Sequence, residues 1–102
     1  MEQRNDVVNL IGITYTKNDL YQDIKKETMN EVFAEKRSIG QKEFFEAGQT
    51  GIKASYCFVI DVLDYNGEML LSHEGKQYNV YRTFEKGTDI ELYVEGRVGN
   101  GN

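Results

Sequence analysis

The side chains best suited to catalysis in this sequence are one cysteine, Cys57, and one histidine, His73. A thiol beside an imidazole can act as an activated nucleophile, and the strands that carry the two residues are expected to be neighbours. Cys57 lies in the most apolar segment, however, where burial keeps a thiol protonated and inert. His73 stands just before a turn, as surface or half-buried histidines often do. The pattern therefore favours a core cysteine and a turn histidine over a catalytic dyad.

Carboxylates are the next candidates for chemistry. Paired carboxylates can exchange protons or hold a metal, but at strand ends they suit solvation. We find no phosphate-binding glycine motif, serine nucleophile elbow or calcium loop, and one cysteine can form neither an internal disulfide nor a cysteine-based zinc cage. We therefore expect no enzyme, no cofactor and no metal site. The acidic groups at predicted strand ends are Asp61, Asp64 and Glu68, and Asp89, Glu91 and Glu95.

Length and composition bound the class of protein. A chain of 102 residues suffices for one domain with a modest core. Charged residues make up 28% and hydrophobic residues 39%, a soluble globular profile, and no apolar run approaches the roughly 20 residues of a membrane span. The start, M-E-Q-R-N-D, lacks the pattern of a secretory signal. A formal net charge of −5 opposes binding to nucleic-acid phosphates.

The clearest structural signal lies in residues 76–94. Apolar and aromatic residues alternate with polar ones on both sides of a turn at 85–88, which predicts two strands joined in a hairpin. Arg82 falls in phase with Val80 and Phe84, so a charge is expected on a mainly apolar face. Its guanidinium would snorkel to water or pair with a strand glutamate of the same chain, or it would bind a carboxylate across a subunit boundary. The sequence leaves these alternatives open.

The first third of the chain predicts a second hairpin. Residues 7–15 alternate loosely and predict a strand in which Gly12 marks a candidate bulge. Residues 23–31 fit either a charged helix or a strand, and we prefer the strand because Lys and Glu alternate with Thr, Val and Phe toward its end. With residues 14–23 as the hairpin loop, this strand would protrude as an exposed ribbon.

The middle of the chain predicts a buried strand and a third hairpin. Residues 56–63 are apolar on both faces, which is typical of a strand covered on both sides. The stretch Tyr65-Asn66-Gly67-Glu68 is a strong hairpin signal, and it leads into a short strand at 69–74. Turns at three glycines then suggest a meandering antiparallel sheet.

A short helix is predicted between the ribbon and the buried strand. Ser38 with Gln41 resembles a capping box, and the helix of residues 41–48 has only about two turns, too few to be stable alone. Phe44 or Phe45 must therefore pack on the sheet or on another subunit. Gly40, Gly48 and Gly51 provide hinges around residues 41–53, which makes this Phe-bearing segment a candidate mobile element that could reach into a channel. The candidate subunit-interface or channel-loop residues are Phe44, Phe45, Gln49, Thr50, Ile52, Lys53 and Arg82.

Together these signals predict a mainly β fold, a small antiparallel β-barrel or sandwich with one short α-helix at about residues 41–48. We expect a flexible N-terminus at 1–6, a single β-rich domain at 7–95 and a flexible Gly/Asn-rich tail at 96–102.

Two stretches resemble the head–tail joining, or head-closure, proteins of long-tailed bacteriophages. They read V-F-A-E-K-R-S-I-G-Q-K-E-F-F-E-A-G-Q-T-G-I-K (32–53) and Y-N-V-Y-R-T-F-E-K-G-T-D-I-E-L-Y-V (78–94), and the resemblance runs from about Leu10 to Arg97. It implies a structural virion protein that forms a ring of its own copies below the portal or connector. Such a ring closes the DNA-filled head and carries the tail, so the implied partners are the portal/connector protein, a tail-completion protein and, by transient non-specific proximity, packaged double-stranded DNA, with no membrane.

The resemblance also implies a location, the head–tail interface of the virion, with the host cytoplasm before assembly. Two alternatives remain open beside it. A tail-completion or tail-terminator protein would share the small β fold and the ring habit. A small β-barrel nucleic-acid-binding module would use Tyr78, Tyr81 and Tyr93 to stack bases, although the acidic balance opposes it.

Overall fold

The computed structural model describes residues 4–97, which form a closed antiparallel barrel with strand order β1-β2-β3-β6-β5-β4. This confirms the predicted fold class. The outermost parts of the two predicted flexible termini, residues 1–3 and 98–102, lie outside the described residues. Within residues 4–97, the elements are β1 (Asp6–Lys17), β2 (Asp23–Ser38), α1 (Gln41–Gly48), β3 (Ala54–Asp61), a 3₁₀ turn (Val62–Asp64), β4 (Leu70–His73), β5 (Lys76–Lys86) and β6 (Asp89–Gly96).

The core fills the barrel interior with one side chain from every second strand position, as the period of two requires. β3 is buried on its outer face as well, at Cys57 and Val59, which confirms that this strand is covered on both sides. Tyr56 packs against the core at one mouth of the barrel. The core residues are Val8, Leu10, Val32, Ala34, Phe58, Ile60, Leu71, Tyr78, Val80, Ile90, Leu92 and Val94.

Residues 12–31 form a two-stranded ribbon that extends away from the barrel, and we call it the β-arm. β1 and β2 pair without interruption from Asp6 opposite Ala34 to Lys17 opposite Asp23. Only residues 9–11 of β1 also pair with β4, and only residues 35–38 of β2 also pair with β3. The strand assignment of residues 23–31 and the protruding ribbon are thus confirmed.

Two predictions about the β-arm are wrong. Residues 14–17 belong to β1, so the hairpin loop is shorter than expected and spans 18–22. The pairing also runs through Gly12 without a shift in register, so no bulge occurs there. A Cβ at Gly12 would lie 2.7 Å from Oγ1 of Thr28, so glycine provides room for the partner strand rather than an extra residue.

The hairpin predicted at 65–68 is wrong as well. The Asn-Gly turn forms, with Gly67 at a φ of 84°, but β3 pairs with β2 and β6 while β4 pairs with β1 and β5. The 3₁₀ turn intervenes, and the Tyr65 hydroxyl donates to the Glu68 carbonyl oxygen at 2.7 Å, so this connection crosses the barrel end. β4 has only four residues, so it is too short to pair along the whole of β3, whose neighbours are the longer strands β2 and β6.

The other two predicted turns are tight hairpins. Glu74 and Gly75 both take positive φ values, 51° and 81°, as a type I′ turn between β4 and β5 requires. In the turn between β5 and β6, Gly87 alone has a positive φ, 65°, as the first central residue of a type II′ turn does. Both turns match the right-handed twist of their strands and fix the register of β5.

Candidate functional site

The helix α1 is attached to the barrel mainly by one carboxylate. Oε1 of Glu43 accepts a hydrogen bond from Nη2 of Arg82 at 2.6 Å, and Oε2 accepts one from the Tyr81 hydroxyl at 2.7 Å. Ala47 is the one residue of α1 that is buried, beside a groove of about 240 Å³ between the helix and β5. The predicted capping box does not form, because Gly40 is the N-cap and no side chain caps the helix. Glu43 therefore carries much of the attachment.

Arg82 lies on the opposite face of β5 from the one predicted. The register shifts between Val80 and Arg82, so Tyr81 is an extra residue and Arg82 lies opposite Tyr93. Directly paired residues share a face, and Tyr93 lies on the outer one. Phe84, opposite Glu91, is turned outward for the same reason and is half exposed. The bulge places Arg82 against the helix, where its partner is a glutamate of α1 and not a strand glutamate.

The Arg82–Glu43 contact continues into a chain of polar groups across the outside of the barrel, which we call the outer-face network. Arg82 stacks on the Tyr93 ring, with its Cζ 4.0 Å from the centroid, and the Tyr93 hydroxyl donates to Glu91 at 2.6 Å. Glu91 lies 3.6 Å from a guanidinium nitrogen of Arg37, which also makes two hydrogen bonds to Glu35. Its members are Glu35, Arg37, Glu43, Tyr81, Arg82, Glu91 and Tyr93.

The network shifts the titration of its members in ways that strengthen it. The hydrogen bond from Arg82, with a further one from Tyr81, lowers the pKa of Glu43 below its ordinary value. Burial and the hydrogen bond to Glu43 raise the pKa of Tyr81. Burial and the bond to Glu91 raise the pKa of Tyr93 in the same way. At neutral pH both tyrosines therefore keep their protons and donate, and Glu43 is ionised and accepts.

Phe44 and Phe45 are both partly exposed. The two residues are 47% and 64% exposed, and their rings contact each other edge to face with centroids 6.4 Å apart. Of the two sequence alternatives, packing within the chain thus covers about half of Phe44 and about a third of Phe45. An apolar pair this exposed on a helix of two turns is a surface suited to contact with another protein.

The segment after α1 is fastened to the helix by backbone hydrogen bonds. The Ala47 carbonyl oxygen accepts from the Thr50 amide, the Thr50 hydroxyl and the Ile52 amide at 3.0, 2.8 and 3.0 Å. The Gln49 amide donates to the carbonyl of the helix residue four positions before it, and the Lys53 amide donates to Glu95. The predicted channel segment and the aromatic pair therefore form one unit, and a movement of this unit would occur about Gly40 and the start of β3.

The cysteine–histidine dyad does not form. Cys57 and Phe58 are consecutive in β3 and project to opposite faces, and it is the Phe58 ring that contacts the His73 ring, at 5.1 Å between centroids. Cys57 is 4% exposed, which confirms its expected core position, and burial raises the pKa of its thiol to about 12. The surface or half-buried position expected for His73 is wrong: its residue is 4% exposed, and Nε2 lies 3.0 Å from Oδ1 of Asp6.

A basic groove lies at the barrel mouth beside Tyr56. Three cations, Lys53, Lys76 and Arg97, line it together with one carboxylate, Glu95, around a space of about 590 Å³. This local charge is opposite in sign to that of the whole chain. The sequence pattern conceals the groove, because its cations come from three separate segments that only barrel closure brings together.

Two of the three tyrosines proposed for base stacking are covered. Tyr78 is buried, and its ring contacts the Tyr56 ring edge to face. Arg82 covers one face of the Tyr93 ring. The Tyr81 hydroxyl is bonded to Glu43, which fixes the position of its ring.

The β-arm presents a second exposed apolar surface that sequence reasoning did not single out. Tyr15 and Met29 are each about two thirds exposed on its outward face, and Leu20 and Tyr21 at the tip are 74% and 82% exposed. Phe33, 66% exposed, continues this face beyond the arm. The tip is ordered by hydrogen bonds. The side-chain oxygen of Asn18 accepts hydrogen bonds from the backbone amides of residues 20 and 22 at 2.8 and 2.9 Å. The apolar residues of this surface are visible in the sequence, but only the strand pairing shows that they share one face.

Comparison with known proteins identifies no relative: no protein-family model matches the chain, and no curated protein matches it. None of the helices within residues 4–97 is long and apolar enough to cross a membrane.

Proposed function

We propose that the protein is a structural virion protein of a long-tailed phage or prophage. It forms a ring at the head–tail interface below the portal/connector, closes the DNA-filled head and provides the surface to which the tail attaches. The resemblance of residues 32–53 and 78–94 to head-closure proteins supports this role. The structural observation that carries the proposal is the exposed Phe44–Phe45 pair, held in place by the Glu43–Arg82 contact.

Ring formation requires two different surfaces on each copy that fit each other head to tail. The aromatic pair on α1 is one candidate surface. The outward face and tip of the β-arm form the other, and the open strand edges beyond residues 9–11 of β1 offer backbone groups for pairing. Because the arm extends beyond the barrel, it can reach a neighbouring copy while the barrel itself stays intact. The two surfaces lie on separate elements, as a head-to-tail contact requires.

The charge of the chain suits a passage for DNA. A net charge of −5 prevents a tight grip on phosphates, so packaged DNA can move past a ring of these copies. Transient, non-specific proximity to the duplex is then the only contact required with nucleic acid.

The decisive experiment is a deletion of the gene in the phage or prophage that encodes it, followed by complementation. Deletion is expected to leave filled or leaking heads and free tails in place of joined particles. A double variant, Phe44→Ser with Phe45→Ser, is expected to fold and yet fail to restore joining. Leu63→Ser, which removes an apolar side chain that is 87% exposed elsewhere, is the matched control and is expected to restore it.

Two outcomes would contradict the proposal. Normal yields of infectious particles after deletion would remove any role in joining. Recovery of the protein with tails from a mutant that makes no heads would instead favour the alternative, a tail-completion or tail-terminator protein.

The segment 49–53 has a test of its own. We propose that it faces the channel, and the double variant Gln49→Ala with Lys53→Ala changes its exposed side chains without removing the backbone bonds at Ala47. Reduced retention of DNA in filled heads is the expected result. Full retention would exclude the segment from the closure while leaving the joining role intact.

The basic groove supports a second candidate function, a small nucleic-acid-binding module. Lys53, Lys76 and Arg97 can bind phosphates, but they are few, and two of the proposed stacking tyrosines, Tyr78 and Tyr93, are covered. A titration with double-stranded and single-stranded DNA at low and physiological salt separates the two roles. The head-closure role predicts weak binding that disappears at physiological salt, whereas binding that persists there would favour the module.

A further inference from the structure

Three potential metal ligands meet where the start of β1 approaches the turn between β4 and β5. Oδ1 of Asp6 lies 3.0 Å from Nε2 of His73, and Oε2 of Glu74 lies 3.9 Å from the same nitrogen. All three ligand atoms lie within 4.8 Å of one another. His73 and Glu74 are consecutive residues, whereas Asp6 lies 67 positions before His73, so the pairing of β1 with β4 brings Asp6 to the other two.

The histidine is held in one orientation. Its side chain is 3% exposed, it lies in a strand bonded to β1 and β5 on its two sides, and the Phe58 ring packs against it. Its Nε2 therefore faces Asp6 without freedom to rotate away. Glu74 is the adaptable member, since its side chain is 77% exposed. It has a φ of 51°, a backbone conformation that glutamate rarely adopts.

The separations suit a small divalent cation. Four ligands at about 2.0–2.2 Å in a tetrahedron lie roughly 3.3–3.6 Å apart. The 3.0 and 3.9 Å separations at Nε2 bracket that value, and a rotation of the exposed Glu74 side chain can close the remaining difference. Two carboxylates balance a charge of 2+, and an imidazole with two carboxylate oxygens is a ligand set that zinc accepts.

We propose that Asp6, His73 and Glu74 bind one zinc-type divalent cation, with the remaining coordination position open to solvent or to another molecule. Binding uses the lone pair of Nε2, so its hydrogen, where present, moves to Nδ1 or to solvent. The cation would join the first strand to the β4–β5 turn and stabilise the closed barrel. The sequence pattern predicted no metal site, because a single histidine has no ligand at motif spacing. This inference does not depend on the proposed role in the virion.

The single histidine makes the test unusually specific. An untagged protein, labelled with ¹⁵N, is titrated with ZnCl₂ while the one imidazole is followed by NMR. We expect the His73 ring resonances to change until one equivalent is bound, and the midpoint of thermal unfolding to rise with zinc. Glu74→Gln, an exposed change that preserves the fold, is expected to weaken affinity by about tenfold or more, because even outer-shell partners are worth 10–100-fold. Glu31→Gln, an exposed glutamate on the β-arm, is the matched control and should bind like the unchanged protein.

Three results would overturn the proposal. The first is an imidazole that does not respond to zinc at millimolar concentration. The second is binding with more than one equivalent and no change at His73. The third is an affinity that Glu74→Gln leaves unchanged, which would reduce the contact to adventitious binding at the surface. Because Asp6→Asn could disturb β1 itself, the conclusion rests on the Glu74 variant, and Co²⁺ absorption gives the coordination number independently.

Discussion

Glu43 is the side chain on which the position of α1 depends most. It joins a helix too short to be stable alone to two residues of β5, and its partner Arg82 also stacks on Tyr93. A β-bulge at Tyr81 makes this possible by turning Arg82 to the outer face. The contact between Arg82 and Glu43 thus depends on Tyr81, the extra residue one position earlier in β5.

The variant Glu43→Gln is expected to lower the free energy of unfolding at neutral pH by about 1 kcal/mol, a modest value because Arg82 is partly exposed to screening solvent. The arginine lowers the pKa of Glu43, so its contribution is complete above the ordinary carboxyl pKa and is lost as pH falls through the lowered pKa. Urea denaturation between about pH 7 and pH 2 should therefore show the two proteins converging in acid.

Glu46→Gln, on the same helix and exposed, is the control and should leave stability unchanged at every pH. A difference between Glu43→Gln and the unchanged protein that persists undiminished in acid would show that the carboxylate is not the source of the effect.

The reactivity of the Cys57 thiol tests whether this side chain is buried in the folded protein. Because burial raises the pKa of its thiol to about 12, the folded protein should react with a disulfide reagent at about pH 8 far more slowly than the unfolded protein does. Thiol absorbance with and without denaturant measures the ratio. Complete labelling of the folded chain within seconds would mean that the outer-face network does not cover β3.

At the scale of elements, the β-arm is the feature that most distinguishes this barrel. Side chains of its two strands alternate between the faces of the ribbon, but none of those in residues 23–31 is buried. Cross-strand pairing and an ordered tip must therefore stabilise the arm. The side chain of Asn18 accepts from two backbone amides and thereby shapes the tip that presents Leu20 and Tyr21.

Asn18→Ala should accelerate hydrogen exchange of the amides of residues 20 and 22 by about fivefold, as expected when two hydrogen bonds worth about 1 kcal/mol in total are lost. Barrel amides such as that of Phe58 should not change. Asp19→Ala, beside it, is the control. Equal exchange in all three proteins would mean that the carboxamide does not order the tip.

Much of this architecture was accessible from the sequence. Alternation identified the strands, including the ribbon at 23–31, and the helix at 41–48 was placed correctly. The pairing of the strands on either side of residues 65–68 was predicted wrongly. An Asn-Gly turn specifies a local reversal of the chain, but it does not specify which strands pair in the barrel. The register shift at Tyr81 was also hidden, since a bulge interrupts the alternation from which it would have to be inferred. The acidic–histidine cluster was hidden because Asp6 is distant in sequence from His73 and Glu74.

At the scale of the whole molecule, the structure combines a closed barrel with two exposed apolar surfaces at separate places. A barrel has few free edges, so the proposed assembly would use the β-arm and α1. Each surface consists of a few exposed apolar side chains, so the proposed interface between copies is expected to be weak.

We therefore expect the isolated protein to be monomeric or weakly associating at micromolar concentration, with rings forming only on a connector template. Sedimentation velocity over a range of concentrations measures this. A tight closed ring from the pure protein would contradict the template requirement, although not ring formation itself.

We propose above that the protein is a fixed component of the particle where head and tail meet. Quantitative mass spectrometry of purified virions, with the portal as internal standard, measures whether it is. We expect a constant copy number of the same order as that of the portal in tailed particles. A protein that is abundant in the infected cell and absent from purified virions would contradict it.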